Sequence, residues 1–191
     1  MQGTLVQIAL FIVNTLGTLL IGAVVVRFLL QVVRADFYNP LSQMIVKITN
    51  PLLKPFRKAI PGFGGFDLAA VILALVLQIV LIGLLQLIQG NAVGLYGGLL
   101  FVWAFLAIIM MLLGVYMISM FIVAIASFIA PQSHNYALAL MRQLIDPVCR
   151  PMQKLIPPMG GFDFSFMAVA MIIYILRIFI TGVGHSLGIP L

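Results

Sequence analysis

The chain has 191 residues, of which 64% are hydrophobic and 7% are charged, whereas about a quarter of the residues in a soluble domain are charged. This composition excludes a soluble domain and predicts an integral membrane protein whose spanning segments are helices in lipid. The single cysteine excludes an intrachain disulfide, and the net charge of +6 makes nucleic-acid binding the first hypothesis to test against the placement of the charges.

Four apolar runs are long enough to cross a bilayer, which takes about 20 apolar residues as a helix. They cover approximately residues 4–33, 68–89, 97–130 and 164–185. The first run carries no Lys or Arg before Arg27 and is too long for a signal peptide, so we expect it to be retained as a helix. The first and third runs exceed the membrane thickness, which predicts that these helices tilt, kink or continue into space covered by protein.

One polar segment between the apolar runs occurs twice. Residues 50–67 read NPLLKPFRKAIPGFGGFD and residues 146–163 read DPVCRPMQKLIPPMGGFD, and 9 of the 18 positions are identical at a constant offset of 96. The duplication divides the chain into repeats 1–93 and 94–191, whose two spans are joined by the polar loops 34–67 and 131–163. We therefore expect an all-α membrane protein with four transmembrane helices as two parallel two-helix repeats, each with a proline-punctuated amphipathic interfacial segment between its spans.

The repeated segment carries helix start signals. Asn50-Pro51 and Asp146-Pro147 resemble an N-cap followed by proline at the first helical position. Asp67 and Asp163 directly precede the second apolar run of each repeat, where a carboxylate accepts hydrogen bonds from free backbone amides near the positive helix end. We interpret both as N-caps rather than as catalytic or ion-binding groups.

Prolines in the segment predict where helices stop. Pro55 and Pro151 lack a backbone donor, which predicts that no long straight helix runs through either copy. Pro61 and Pro157 end whatever short helix forms, and the glycine pair after each supplies a tight turn. Upstream, the apolar residues of 41–52 recur at helical spacing, which predicts an amphipathic helix in the interface plane.

We assign the repeated segment as a candidate surface for the membrane or for a partner. Its residues are Asn50, Pro51, Lys54, Pro55, Arg57, Lys58, Pro61, Gly64, Gly65 and Asp67 in the first copy, and Asp146, Pro147, Arg150, Pro151, Lys154, Pro157, Gly160, Gly161 and Asp163 in the second.

The basic residues predict the topology. Eight of the ten Lys and Arg lie in the two long loops, and the other two, Arg27 and Arg177, lie in spans. By the positive-inside rule, both loops face the cytoplasm and both termini face outward, so the two repeats are parallel. Basic residues beside apolar faces suit anionic headgroups. The charge therefore indicates orientation and lipid contact, and we do not expect nucleic-acid binding.

Four polar residues within the spans are candidates for a role inside the bilayer, because polar groups in hydrocarbon are costly. Asn14 and Gln78 are predicted to hydrogen-bond across helices. Arg27 is close to the cytoplasmic end and is predicted to snorkel. For Arg177 three alternatives are open: it snorkels or packs, pairs with a headgroup, or lines a pathway.

The chain lacks a reactive constellation. Its acidic residues are four Asp and no Glu, and all four adjoin basic residues or helix starts. The two histidines, His134 and His185, fall on opposite sides of the bilayer and cannot share one metal or haem within a monomer. No phosphate-binding loop or HExxH motif is present. We expect no enzyme and no catalytic, cofactor or metal site.

The repeated N/D-P-x-x-x-P, I-P and G-G-F-D pattern resembles that of the YggT family, also called YlmG in some lineages. The stretch 34–43, RADFYNPLSQ, is similar to the one that precedes the first motif in proteobacterial members. The resemblance implies a multi-spanning protein of the bacterial inner membrane without an assigned biochemical activity. Relatives have been connected with haem attachment to a plastid b-type cytochrome, with cell division or nucleoid distribution, and with tolerance of osmotic or ionic stress.

Two hypotheses of function follow. The first is a non-catalytic scaffold or assembly factor that offers its basic cytoplasmic motifs to a membrane complex or to anionic lipid. The alternative is a small ion or osmolyte channel or transporter subunit, which needs a homo-oligomer because four helices with few polar inward positions make a poor pore. The two differ in whether the intramembrane polar residues face one shared cavity or separate helix contacts.

Overall fold

The computed structural model describes residues 2–60, 67–91, 97–129, 135–156 and 164–190, and these ranges are helical apart from short turns and chain ends. The six helices are α1 (Gln2–Val32), α2 (Pro40–Ala59), α3 (Leu68–Ile88), α4 (Leu99–Ile129), α5 (Tyr136–Leu155) and α6 (Phe164–Ser186). The predicted all-α class is confirmed.

Four of the helices are long and apolar enough to cross a membrane: α1, α3, α4 and α6. They have 31, 21, 31 and 23 residues. At about 1.5 Å per residue even the shortest matches a hydrocarbon core of about 30 Å. The sequence therefore predicts the number and the positions of the spanning helices correctly.

The remaining two helices, α2 and α5, are amphipathic and have 20 residues each. Each begins at an asparagine whose side chain caps it: Asn39 Oδ1 accepts from the amide of Leu41 at 2.9 Å, and Asn135 Oδ1 from the amide of Ala137 at 2.8 Å. The predicted N-caps at Asn50 and Asp146 are wrong, since both residues lie inside these helices. Asn39 with Pro40 supplies the same signal eleven residues earlier.

The prediction that prolines interrupt the segment is also wrong. Pro51 and Pro55 lie inside α2, and Pro147 and Pro151 lie inside α5. Prolines four residues apart share one helix face, and all four are exposed. The carbonyls that lose their amide partner can be solvated there, while the opposite face is held by burial of side chains such as Leu53, which is fully buried.

Both amphipathic helices end where the sequence predicts. Their C-caps are Ile60 and Ile156, which have extended backbones and precede the Ile-Pro bonds. The motif positions that follow lie outside the described residues: Pro61, Gly64, Gly65, Pro157, Gly160, Gly161 and Asp163, together with His134.

The helices pack in neighbouring pairs. The spans α1 and α3 lie against each other, α3 also contacts α4, and α4 contacts α6, while α2 covers α1 and α3 and α5 covers α4 and α6. The helices α1 and α3 are in close contact at Gly17, where a Cβ would lie 2.5 Å from Leu81 Cδ1. The largest core cluster joins α1, α2 and α3 through residues such as Val24, Leu53 and Ala70, each with no exposed surface. The amphipathic helices are thus part of the packed core.

Candidate membrane-surface site

The basic residues of the repeated segment lie on the exposed faces of α2 and of α5. We call this set the basic edge; it consists of Lys54, Arg57 and Lys58 on α2 and of Arg150 and Lys154 on α5, and all five are exposed. The opposite faces are buried through Leu53 at 0% and Cys149 at 4% exposure. Packing of the apolar faces therefore fixes the direction in which the charges point.

The strongest fixed contact of the basic edge is the ion pair of Arg57 with Asp67. Asp67 is 4% exposed, caps α3 by accepting from the amide of Ala70 at 3.3 Å, and accepts from Arg57 Nε at 3.2 Å and also from Arg57 Nη2. The predicted N-cap at Asp67 is confirmed. Since the pair joins the C-terminal turn of α2 to the first turn of α3, Arg57 has a structural role that Lys54 and Lys58 do not share.

In the second copy, Asp146, which matches Asn50 of the first, forms an ion pair within its own helix, whereas Asp163, which matches Asp67, lies outside the described residues. Asp146 accepts from Arg150 Nη2 at 2.6 Å, one turn along α5, and both side chains are substantially exposed. An exposed pair at this spacing stabilises a helix by only about 0.3–0.5 kcal/mol. Arg150 therefore remains available to a partner or a headgroup in a way that Arg57 is not.

Arg27 is buried and does not snorkel, contrary to the sequence prediction. Its exposure is 5%, and Nη1 donates to Thr49 Oγ1 at 2.7 Å and to the carbonyl of Val46 at 3.2 Å. The Thr49 hydroxyl in turn donates to the carbonyl of Ile45 at 2.7 Å. The physical reason is that α2 lies across this part of α1 and supplies acceptors that a headgroup would otherwise supply.

The other three intramembrane polar residues lie in separate environments. Arg177 Nη1 donates to the carbonyl of Met110 at 3.0 Å, which joins α6 to α4 and favours the packing alternative. Asn14 is exposed, and its Oδ1 accepts from Thr18 Oγ1 of the same helix at 3.4 Å, so the predicted bond across helices is wrong there. Gln78 is 9% exposed, and its Oε1 has no hydrogen-bond partner among the described residues.

Two hydrogen bonds that sequence reasoning missed join the two halves at the start of the amphipathic helices. Gln143 Oε1 accepts from the amide of Asp36 at 2.9 Å, and Asn39 Nδ2 donates to the carbonyl of Tyr136 at 2.8 Å. Asn39 therefore caps α2 with its oxygen and holds α5 with its nitrogen. The Asn-Pro pair in the first loop was the available signal for the cap, whereas nothing in the sequence indicates the contact with α5.

Two residues of the polar network of the first half have apolar counterparts in the second. At the offset of 96, Arg27, Thr49 and Arg57 correspond to Val123, Ile145 and Gln153. Ile145 lies in an apolar cluster with Cys149, Val169 and Ile173. The buried Arg27–Thr49 contact of the first half is therefore replaced by apolar side chains at the matching positions of the second.

Within the described ranges, no group of three or more His, Cys, Asp or Glu residues could hold a metal ion. The arrangement provides a fixed, exposed cationic surface, and the described residues offer ion pairing and hydrogen bonding as its chemistry.

Comparison with known proteins finds one family. The model of the family described as CCB3/YggT matches residues 6–88 and 102–184. Similar proteins include "Uncharacterized protein PA0392" of Pseudomonas aeruginosa, 44% identical over 86% of this chain and 85% of that protein, and "Uncharacterized protein YggT" of Escherichia coli K12, 31% identical over 93% and 92%. No solved structure gives a match.

The contrast between the two halves predicts how the Arg27 contact behaves on mutation. Thr49→Ile leaves the buried guanidinium without its hydroxyl acceptor, and we expect it to lower the free energy of unfolding by about 2–4 kcal/mol. The double variant Arg27→Val/Thr49→Ile, which carries the residue types of the second half, should recover most of this loss because no buried charge remains.

Unfolding in mixed micelles measures these differences, and Thr49→Ser is the control, since it keeps the hydroxyl and should unfold close to wild type. A double variant that is less stable than the Thr49→Ile variant would show that the network is not replaceable by apolar packing.

Proposed function

We propose that this chain, which belongs to the CCB3/YggT family, acts as a non-catalytic scaffold or assembly factor in the membrane. The basic edge is the surface that it offers, and the partner is a membrane complex or a patch of anionic headgroups. The observation that carries the proposal is that five exposed basic side chains sit on helices whose opposite faces are buried in the core. A surface of fixed geometry is what an assembly factor needs.

Both kinds of partner find suitable groups on this surface. A basic residue close to an anionic membrane surface contributes about 1 kcal/mol of attraction. The four exposed helix prolines also leave carbonyl oxygens on the same face without an intrahelical donor. These acceptors can take hydrogen bonds from the amides or side chains of a protein partner.

The transport alternative has one observation in its favour, the buried Oε1 of Gln78 without a partner among the described residues. Against it, Arg27 contacts α2, Arg177 contacts α4, and Asn14 is exposed. A path for ions needs polar groups that converge on one cavity, and these lie in separate contacts. The geometry therefore favours the scaffold.

The orientation in the membrane is part of the proposal. We infer that the basic edge faces the cytoplasm of a bacterial inner membrane and that both chain termini face outward, because the basic residues concentrate in the two long loops.

Removing the basic-edge lysines, which form no ion pair with another described residue, tests the scaffold. The triple variant Lys54→Gln/Lys58→Gln/Lys154→Gln spares Arg57 and its contact with Asp67. If the partner is lipid, we expect the enrichment of anionic lipid around the protein to fall about tenfold or more. If it is a protein, we expect a similar fall in cross-linking to that protein from a photoreactive residue at position 155. Both follow because each charge contributes about 1 kcal/mol of attraction.

The lipids and the cross-links are measured on membrane patches that are extracted with an amphipathic polymer. The matched control changes the same three lysines to arginine. The proposal fails if the glutamine variant retains both the lipid enrichment and the cross-links.

Ion flux separates the two hypotheses. Under the scaffold hypothesis, full-length protein in sealed liposomes passes no potassium or protons above the level of empty liposomes, and Arg177→Leu changes nothing. Flux that rises with protein density and is lost in Arg177→Leu would instead establish transport, with the site inside the bilayer.

Single cysteines test the orientation. In a Cys149→Ser background, Lys58→Cys and Lys154→Cys should react with a membrane-impermeant maleimide only after the cytoplasmic side is opened. Gln89→Cys, in the exposed turn after α3, should react in intact spheroplasts. The opposite pattern of labelling would invert the topology.

A further inference from the structure

An apolar groove lies between the two amphipathic helices and the spans that they cover. Its volume is about 290 Å³, and α1, α2, α4 and α5 all contribute to its walls. Among the lining residues, Ser119 is the only one with a polar side chain. Ligand sites for small molecules start at about 300 Å³, so the groove has room for a segment of one flexible chain but not for a whole lipid.

The groove opens sideways, toward the surroundings of the spans. Ile118, in the middle part of α4, lines it and is 62% exposed, and Met44 on α2 lines it and is 53% exposed. We expect hydrocarbon around α4 at this position, because α4 is long and apolar enough to cross the membrane. A molecule that enters past these two side chains therefore comes from the bilayer, and it is apolar where it lies in the groove.

The walls of the groove are held in place by contacts that belong to the fold. Leu30 and Leu140 line the groove and are 2% and 7% exposed in a cluster that joins α1, α2 and α5. The hydrogen bonds of Asp36 with Gln143 and of Asn39 with Tyr136 tie the turn before α2 to α5. The cavity is thus preformed, which lowers the cost of ordering a chain in it.

Basic residues outside the repeated segment follow the lining residues closely in the chain. Arg34 comes one turn after Leu30, Lys47 comes three residues after Met44, and Arg142 is next to Met141. None of the three forms an ion pair with another described residue. Positive charge carried by residues close in the chain to an apolar groove complements an anionic headgroup whose acyl chain enters that groove.

We propose that the groove binds one acyl chain of an anionic phospholipid from the leaflet in which α2 and α5 lie, with the phosphate held by Arg34, Lys47 and Arg142. This deepens the proposed function and rests on it, since it names a lipid that the scaffold holds at a defined site. The groove differs from the basic edge in its residues, so the two can be tested separately.

Photolabelling of the full-length protein in nanodiscs tests the groove. The nanodiscs contain mainly neutral phospholipid with a trace of phosphatidylglycerol that carries a diazirine near the end of one acyl chain. After irradiation and digestion, we expect peptides around Met44, Ile118 and Met141 to be labelled several-fold more than the lipid-exposed face of α6 around Met171. Uniform labelling of all lipid-exposed helices would overturn the proposal.

Two variants locate the effect. Met44→Trp blocks the mouth of the groove at an exposed side chain and should abolish the excess labelling, whereas Ile175→Trp, on the exposed face of α6, is the matched control and should not. Equal thermal unfolding of both variants excludes misfolding as the cause. Excess labelling that persists in Met44→Trp contradicts the proposal.

Charge variants distinguish lipid binding in the groove from binding at the basic edge. Arg34→Gln/Lys47→Gln/Arg142→Gln should lower labelling by the phosphatidylglycerol probe to the level of a phosphatidylcholine probe, while Lys54→Gln/Lys58→Gln/Lys154→Gln should leave it unchanged. Equal labelling of wild type by both probes would overturn the anionic specificity. If the basic-edge variant changes neither lipid enrichment nor cross-linking while the groove of the wild type is still labelled, the scaffold proposal has failed and the proposed lipid site has not.

Discussion

A positive charge buried in a spanning helix ties two helices of the first half together. The guanidinium of Arg27 is shielded from water and lipid, and it is stable there only because Thr49 and a carbonyl of α2 accept its hydrogen bonds. That requirement holds α2 across α1. Once α2 lies there, its C-terminal turn comes beside the start of α3, where Arg57 meets Asp67. Together with burial of the apolar face of α2, these two contacts fix the direction of its exposed basic side chains.

The spans could be predicted from the sequence because the need to satisfy every backbone polar group in lipid leaves a simple signal, a long apolar run. The fate of Arg27 could not, since hydropathy treats each span alone and does not reveal that another helix lies over it. The basic edge was accessible to sequence reasoning as a set of residues. Its geometry was not, because Arg57 and Asp67 are ten positions apart in the chain, with Pro61 between them. Their contact therefore depends on how α2 meets α3.

The start of α2 is a case in which the sequence contains two Asn-Pro pairs and only one of them caps the helix. The repetition of Asn50-Pro51 as Asp146-Pro147 favoured a helix start at the repeat, yet Asn39-Pro40 carries the same chemistry and is the true cap. Proline inside a helix costs an amide donor, but the loss falls on an exposed face and is outweighed by burial on the other side. Tertiary packing overrides local helix propensity here. The stabilisation that comes from such packing cannot be read from a single sequence.

The lengths of α1 and α3 bear on how the protein sits in bilayers of different thickness. Gly17 packs against Leu81, which lies seven residues before the end of α3, whereas Gly17 lies fifteen residues after the start of α1. The first two turns of α1 therefore extend about 12 Å beyond α3 at 1.5 Å per residue. The molecule presents two hydrophobic lengths to its surroundings, so a membrane that matches one of them is deformed beside the other, at a cost of a fraction of a kcal/mol per Å.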